Sequence, residues 1–211
     1  MYEFKKRSDR FDFFESFENP LINITYNLEV PDFLTFCKSK QLPPFHFFLF
    51  CLMRSLESVE AFRYRTFEGN IIRIDDVTAS YTVMNEDQSL NYTRFENSSD
   101  LHTFIKRSLE SKVIAESSRA LINTGIELHP REMKNYVFIT SIPWLDFTSI
   151  QHPVYSFKSA DIPAVAWGKF KKSDGKINFS FSVQAHHGFV DGYHIHMLGK
   201  TLAEKIQENL I

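Results

Sequence analysis

Cysteine is almost missing from this chain: Cys37 and Cys51 are the only two in 211 residues. They form no CxxC and no framework spacing, so a disulfide scaffold is excluded and both read as free thiols of a reducing compartment. Glycine and proline are sparse, and there is no internal repeat or low-complexity stretch. With no linker in view, one domain over 1–211 is the simplest organisation. An excess of either charge is also lacking, with 24 basic against 26 acidic residues, which removes the electrostatic case for nucleic acid or an anionic membrane. The longest apolar run, Phe45 to Met53, is too short to span a bilayer. Met1 to Arg10 is charged and lacks the apolar core of a signal peptide. A soluble, cytoplasmic protein is expected. Neither GxGxxG nor GxxxxGK[ST] occurs, which argues against nucleotide phosphate binding by those routes.

Phenylalanine, by contrast, is abundant, at 22 residues. It supplies area and shape without a polar handle, for a core or for the walls of a ligand site. Arg10 to Phe17 reads as a short helix, and Pro31 is expected to open a second one running to about Lys40. Phe45 to Ser58 is apolar nearly all round, which predicts a buried helix. Phe62 to Phe67, Asn70 to Ile74, Ala79 to Met84, Asn91 to Phe95 and Tyr136 to Ile142 read as extended, with Glu68-Gly69 as a turn. Ser99 is a candidate N-cap for a helix through Ile114. Val165 to Lys171 and Ile177 to Ala185 predict a hairpin through Ser173-Asp174-Gly175. Leu198 to Leu210 closes the chain as an amphipathic helix. Mixed helices and strands without βαβ alternation favour an α+β fold, a two-layer sandwich of a mixed sheet packed with helices.

The chemistry concentrates after the last long strand, in His186-His187-Gly188-Phe189-Val190-Asp191-Gly192. Histidine titrates near neutral pH and can take and return an alcohol proton, provided one ring nitrogen faces the substrate and the other is held. Adjacent histidines on a strand point to opposite faces, so one of the two is structural. Asp191 could help hold the local geometry or could simply cap a helix. Gly188 and Gly192 permit backbone angles that larger residues resist. His186, His187, Asp191, His194 and His196 could also form a metal site, although no HExxH or completing carboxylate accompanies them.

The segment HHxxxDG resembles the signature of chloramphenicol acetyltransferases and, more distantly, of dihydrolipoyl acyltransferases and peptide-synthetase condensation domains. Pro143-Trp144-Leu145-Asp146-Phe147-Thr148-Ser149 resembles the first family's PW-x-x-F-x-S segment. Phe62-Arg63, Glu68-Gly69, Asp75-Asp76-Val77 and Tyr81-Thr82-Val83 follow its order, and Arg7 to Phe14 is similar to its N-terminal helix. The resemblance runs from about Arg7 to Glu204. It implies a homotrimer of α+β subunits with active sites at the subunit interfaces, and acetyl-CoA as co-substrate without a metal. It also implies His187 as general base, attack on the thioester without an acyl-enzyme, and Ser149 as oxyanion donor. Asp191 would be structural and paired with Arg7. Lys169 and Phe170 would contact CoA, and Phe14 would line the acceptor site. Chloramphenicol is the acceptor the resemblance implies, and with it antibiotic resistance.

Some positions depart from the family pattern. Ala166 stands where the family often has a threonine, and a methyl group cannot donate that hydrogen bond. Lys40 to Pro43 lacks the basic-aromatic pair expected before Pro44. The competing readings are the same chemistry on another hydroxylated metabolite or xenobiotic, a non-catalytic ligand-binding protein on the same scaffold, and a metal-dependent hydrolase.

Overall fold

Leu21–Pro31, strand β1, alternates Ile22, Ile24, Tyr26, Leu28 and Val30 with Asn23, Thr25, Asn27 and Glu29. Along its whole length it pairs antiparallel with β9, Lys176–His186. Pro31 therefore ends a strand and does not open a helix. It is tolerated because β1 lies at the edge of the sheet, where a missing N–H costs no ladder bond. Helix α2 (Phe33–Lys40) starts instead at Asp32, whose carboxylate accepts the Thr35 N–H at 3.1 Å.

The computed structural model describes residues 7–122, 129–157 and 160–211. Before β1 comes helix α1 (Ser8–Glu15). After α2 come α3 (Pro44–Ser58), a 3₁₀ turn at Glu60–Arg63, and the hairpin of β2 (Tyr64–Phe67) and β3 (Asn70–Arg73). Strands β4 (Thr78–Met84) and β5 (Leu90–Tyr92) lead into α4 (Leu101–Ser117), which is capped by Asp100 and not by Ser99. Then follow the one-turn helix α5 (Pro130–Met133), β6 (Tyr136–Ser141), β7 (Ala164–Trp167), β8 (Lys171–Ser173), β9 and α6 (Gly192–Asn209). The last helix thus starts six residues earlier than its apolar pattern suggests.

The main sheet has the order β1-β9-β7-β6-β4-β5, with β8 also on β9. The β7-β6 and β6-β4 pairs are parallel and the rest antiparallel. Both tight hairpins turn on two residues with positive φ, Glu68-Gly69 (48° and 73°) and Asp174-Gly175 (50° and 74°). That geometry matches strand twist and favours glycine at the second place.

One face of β9 (Ile177, Phe179, Phe181, Val183) is fully buried in the core that α3 and α6 share. Pro44 sits at the first turn of α3, where no N–H partner is lost, and ten of that helix's residues are buried. The opposite face of the sheet is polar. It presents Asn23, Thr25, Ser180, Ser182 and Gln184, with Thr25 Oγ1 donating to Ser182 Oγ at 2.8 Å. The segment 146–152 crosses it. Ser180 Oγ donates to Asp146 Oδ1, Asn23 Nδ2 to the Ile150 carbonyl, and the His152 N–H to Gln184 Oε1. Among the described residues, no helix is long and apolar enough to cross a membrane.

Candidate active site

Strand β9 delivers His186 and then His187 into a tight turn, where the His186 carbonyl accepts the N–H groups of Phe189 (3.0 Å) and Val190 (2.9 Å). The His187 N–H is anchored on the Pro20 carbonyl at 2.7 Å. The two imidazoles are held differently.

His186 is the structural one. It is 2% exposed, its Nδ1 accepts the Gly188 N–H at 3.1 Å, and its Nε2 lies 2.9 Å from Glu15 Oε2. A ring whose Nδ1 accepts must carry its proton on Nε2, so Nε2 donates to the carboxylate. Burial pulls the His186 pKa below the ordinary value, against the opposing effect of Glu15.

His187 shows the reverse arrangement. Its Nδ1 lies 3.1 Å from the Val190 carbonyl oxygen, which can only accept. Nδ1 therefore carries the hydrogen, and in the neutral ring the Nε2 lone pair is left for another proton. The Phe14 ring stacks on this imidazole, centroids 3.9 Å apart and planes 13° from parallel. Phe11 stacks on both Phe189 and His186.

Asp191 touches neither histidine of the pair. Its Oδ1 caps α6 by accepting the N–H groups of Tyr193 (3.0 Å) and His194 (3.3 Å), while Oδ2 accepts from Arg7 Nη1 at 3.0 Å. Burial pushes the Asp191 carboxyl up, but His194, Arg7 and the backbone N–H outweigh it, and the net pKa lies below the ordinary carboxylate range. Helix α1 is thus fastened over the motif at both ends, by Arg7 on Asp191 and by Glu15 on His186. Gly188 has no positive φ, so its need is space and not backbone freedom: a Cβ there would lie 2.8 Å from Phe11 Cδ2 and 3.0 Å from the His186 ring.

Ser149 is exposed on the segment that crosses the polar sheet face, next to the Ile150 carbonyl held by Asn23. Among the described residues, no hydrogen bond joins it to His187 of the same chain. Lys169 is exposed, and its N–H donates to the Leu145 carbonyl at 2.8 Å. The Phe170 ring is half-buried, edge-on or tilted to Phe33, Phe48 and Phe179 at 5.0–5.2 Å, so only part of it is open to a ligand. Ala166 is fully buried, flanked by Thr140 and Ser182 in the adjacent strands. Among the described residues, no group of three or more His, Cys, Asp or Glu side chains is arranged to hold a metal ion.

A largely apolar cavity of about 480 Å³ opens at the C-terminal ends of β4 and β6, against the start of α3. Because β7, β6 and β4 run opposite to β9, this cavity lies at the far end of the sheet from His187 of the same chain. The segment 143–152 leads from the cavity wall at Trp144 back across the polar face towards β9's C-terminal end.

The Val190 carbonyl, Glu15 and Phe11 were not singled out from the sequence. Spacing could have suggested Phe11 and Glu15, which lie on α1 within four residues of one another. The carbonyl contact depends on the turn alone.

A family model described as chloramphenicol acetyltransferase matches residues 3–203. A chloramphenicol acetyltransferase of Bacillus pumilus is 24% identical over 200 residues, covering 89% of this chain and 84% of that protein. A solved chloramphenicol acetyltransferase superposes with a TM-score of 0.80 at 23% identity, over 95% of each chain. The dihydrolipoamide acetyltransferase of Azotobacter vinelandii, studied for the roles of a serine, a histidine and an asparagine in its mechanism, superposes with a TM-score of 0.69. It is 14% identical over 100% of this chain and 90% of that one.

Proposed function

The chain belongs to the chloramphenicol acetyltransferase family, and on that premise we propose that it transfers the acetyl group of acetyl-CoA to a hydroxyl of chloramphenicol, with His187 as general base. One observation carries the reading: the Val190 carbonyl fixes the proton on Nδ1 and leaves Nε2 as the acceptor. An alcohol bound at Nε2 gives up its proton as its oxygen attacks the thioester carbon. Ser149 donates a hydrogen bond to the oxyanion of the tetrahedral intermediate. Collapse expels the CoA thiolate, which takes the proton back from His187, and no acyl-enzyme forms. Asp191 and Arg7 act at one remove, by holding the turn. Phe14 packs against the base and borders the acceptor.

Acetyl-CoA is a co-substrate here. The exposed Lys169 offers a cation for its phosphates and the open part of Phe170 a surface for its adenine. The whole chain, 1–211, works as one domain in a cytoplasmic homotrimer. The separation of His187 from the cavity within one chain supports that assembly, because a neighbouring copy can bring His187 to the cavity and Ser149. The polar sheet face, on which no helix packs among the described residues, offers a surface for such a neighbour.

The test is release of free CoA from acetyl-CoA and chloramphenicol by purified protein, alongside His187→Ala. Turnover that disappears in the variant while the oligomer persists is expected; near-normal turnover in the variant refutes the base. A second reading keeps the chemistry and changes the acceptor, motivated by Ala166, whose methyl leaves a gap in the hydroxyls contributed by Thr140 and Ser182. A panel of alcohol acceptors separates the two: a preference for chloramphenicol over every member rules the second out.

A further inference from the structure

His46 is 4% exposed, yet it lies in the wall of the 480 Å³ cavity. Its Nδ1 is 2.8 Å from Ser108 Oγ on α4. The Tyr81 hydroxyl donates to the Ser108 carbonyl at 2.8 Å and lies 3.1 Å from Ser108 Oγ. With the tyrosine proton on that carbonyl, the Tyr81 oxygen is open to accept the Ser108 hydroxyl proton, and in that arrangement Ser108 Oγ accepts from His46 Nδ1–H. That arrangement leaves the Nε2 lone pair free, and among the described residues that nitrogen has no protein partner. The surrounding wall is mainly carbon, from Phe45, Tyr81, Met84, Leu90 and Trp144.

A cavity of this size suits a drug-sized molecule, and such sites combine apolar walls with a few placed polar groups that fix orientation. With this cavity taken as the acceptor site of the acetyl-transfer reading, we propose that His46 is its specificity-determining residue, accepting a hydrogen bond from a second hydroxyl of the acceptor besides the reacting one. Burial, reinforced by Lys112, pushes the His46 pKa down to about 4, so the ring is neutral and an acceptor at neutral pH. A ligand lacking the donor would leave Nε2 buried and unpaired, which is how a polar group in an apolar wall discriminates. Trp144 links this wall to Ser149, five residues on along the same segment. The inference rests on the acetyl-transfer reading in taking the ligand to be the acceptor.

The test measures binding apart from turnover, in the His187→Ala protein without acetyl-CoA. Chloramphenicol and its di-O-methyl derivative are titrated while quenching of tryptophan fluorescence is followed; Trp144 is exposed at the cavity and Trp167 is buried. His46→Phe fills the space without an acceptor. It is expected to weaken chloramphenicol binding about ten- to a hundredfold and to narrow the gap between the two ligands. His46→Gln, which restores an acceptor, is expected to recover part of the loss, and thermal melts confirm that both variants fold. Unchanged affinity and an unchanged gap in His46→Phe overturn the proposal, as does failure of chloramphenicol to quench the parent. His46-dependent binding, with no CoA released by the protein carrying His187, would sink the acetyl-transfer reading and leave this site standing. Turnover with His46-independent binding would do the opposite.

Discussion

Replacing Arg7 with leucine should damage the chemistry without touching any group proposed to meet substrate. Arg7 Nη1 lies 3.0 Å from Asp191 Oδ2, with side chains 27% and 33% exposed. A fully exposed pair would contribute at most about 1 kcal/mol, and loss of one partner of a buried pair costs about 3–5 kcal/mol. Partial exposure screens this pair, and Asp191 keeps its two backbone N–H donors, so a loss of about 1–2 kcal/mol is expected. For a chain of this size that lowers Tm by roughly 2–8 °C. The larger effect is geometric. Asp191 follows Val190 directly, so a carboxylate that relaxes towards water takes along the carbonyl holding His187 Nδ1. Misplacement of a reacting group by about 1 Å can cost about a hundredfold in rate, so kcat should fall roughly ten- to a hundredfold with little change in either KM. The depressed Asp191 pKa adds a pH signature. Its stabilisation is fully present above the unfolded value near 3.8 and drains away as pH falls through the lower folded value. Arg7→Leu should flatten that part of the acid unfolding curve. Steady-state kinetics and melts from pH 7 to pH 3 read all three effects. A variant with kcat within about twofold of the parent and an unchanged acid limb would refute the coupling.

Ser149→Ala should lower kcat about a hundred- to a thousandfold through loss of the oxyanion donor, while Tm stays put because the side chain is exposed; an unaltered kcat removes Ser149 from the mechanism. His46 protonates near pH 6.5 when unfolded but only near pH 4 when buried. The unfolded chain therefore binds the proton first, and stability declines by up to about 3 kcal/mol as pH drops from about 6.5 to about 4. Urea midpoints at pH 7 and pH 5 should show that slope in the parent and a shallower one in His46→Phe. Gly188→Ala should drive Phe11 off the motif and cost about 1–3 kcal/mol; a denaturation midpoint equal to the parent's would contradict the crowding.

Local rules made much of this architecture legible. The hairpins at Glu68-Gly69 and Asp174-Gly175 and the buried α3 follow from turn chemistry and composition. Strand β1 was missed: Ile22 to Val30 alternate apolar and polar, yet Pro31 reads as a helix opener, and only sheet position decides that a proline can end an edge strand. The HHxxxDG segment announced its two histidines, but not which atoms hold them. The Val190 carbonyl reaches His187 through a turn, and Glu15 reaches His186 across 171 positions. His46 was hidden for a different reason. In a helix apolar all round it reads as one more core residue, and Ser108, which orients it, lies 62 positions away.

Helix α1 makes the reactive imidazole dependent on a short stretch at the opposite end of the chain. One ion pair, one carboxylate–imidazole hydrogen bond and two stacked rings join the nine residues Arg7 to Glu15 to the motif, so cutting after Glu15 would strip His187 of its cover while leaving every residue of HHxxxDG in place. Anyone fusing a tag or a partner to this protein should attach it beyond α6, where added mass pulls on nothing that steers the proton.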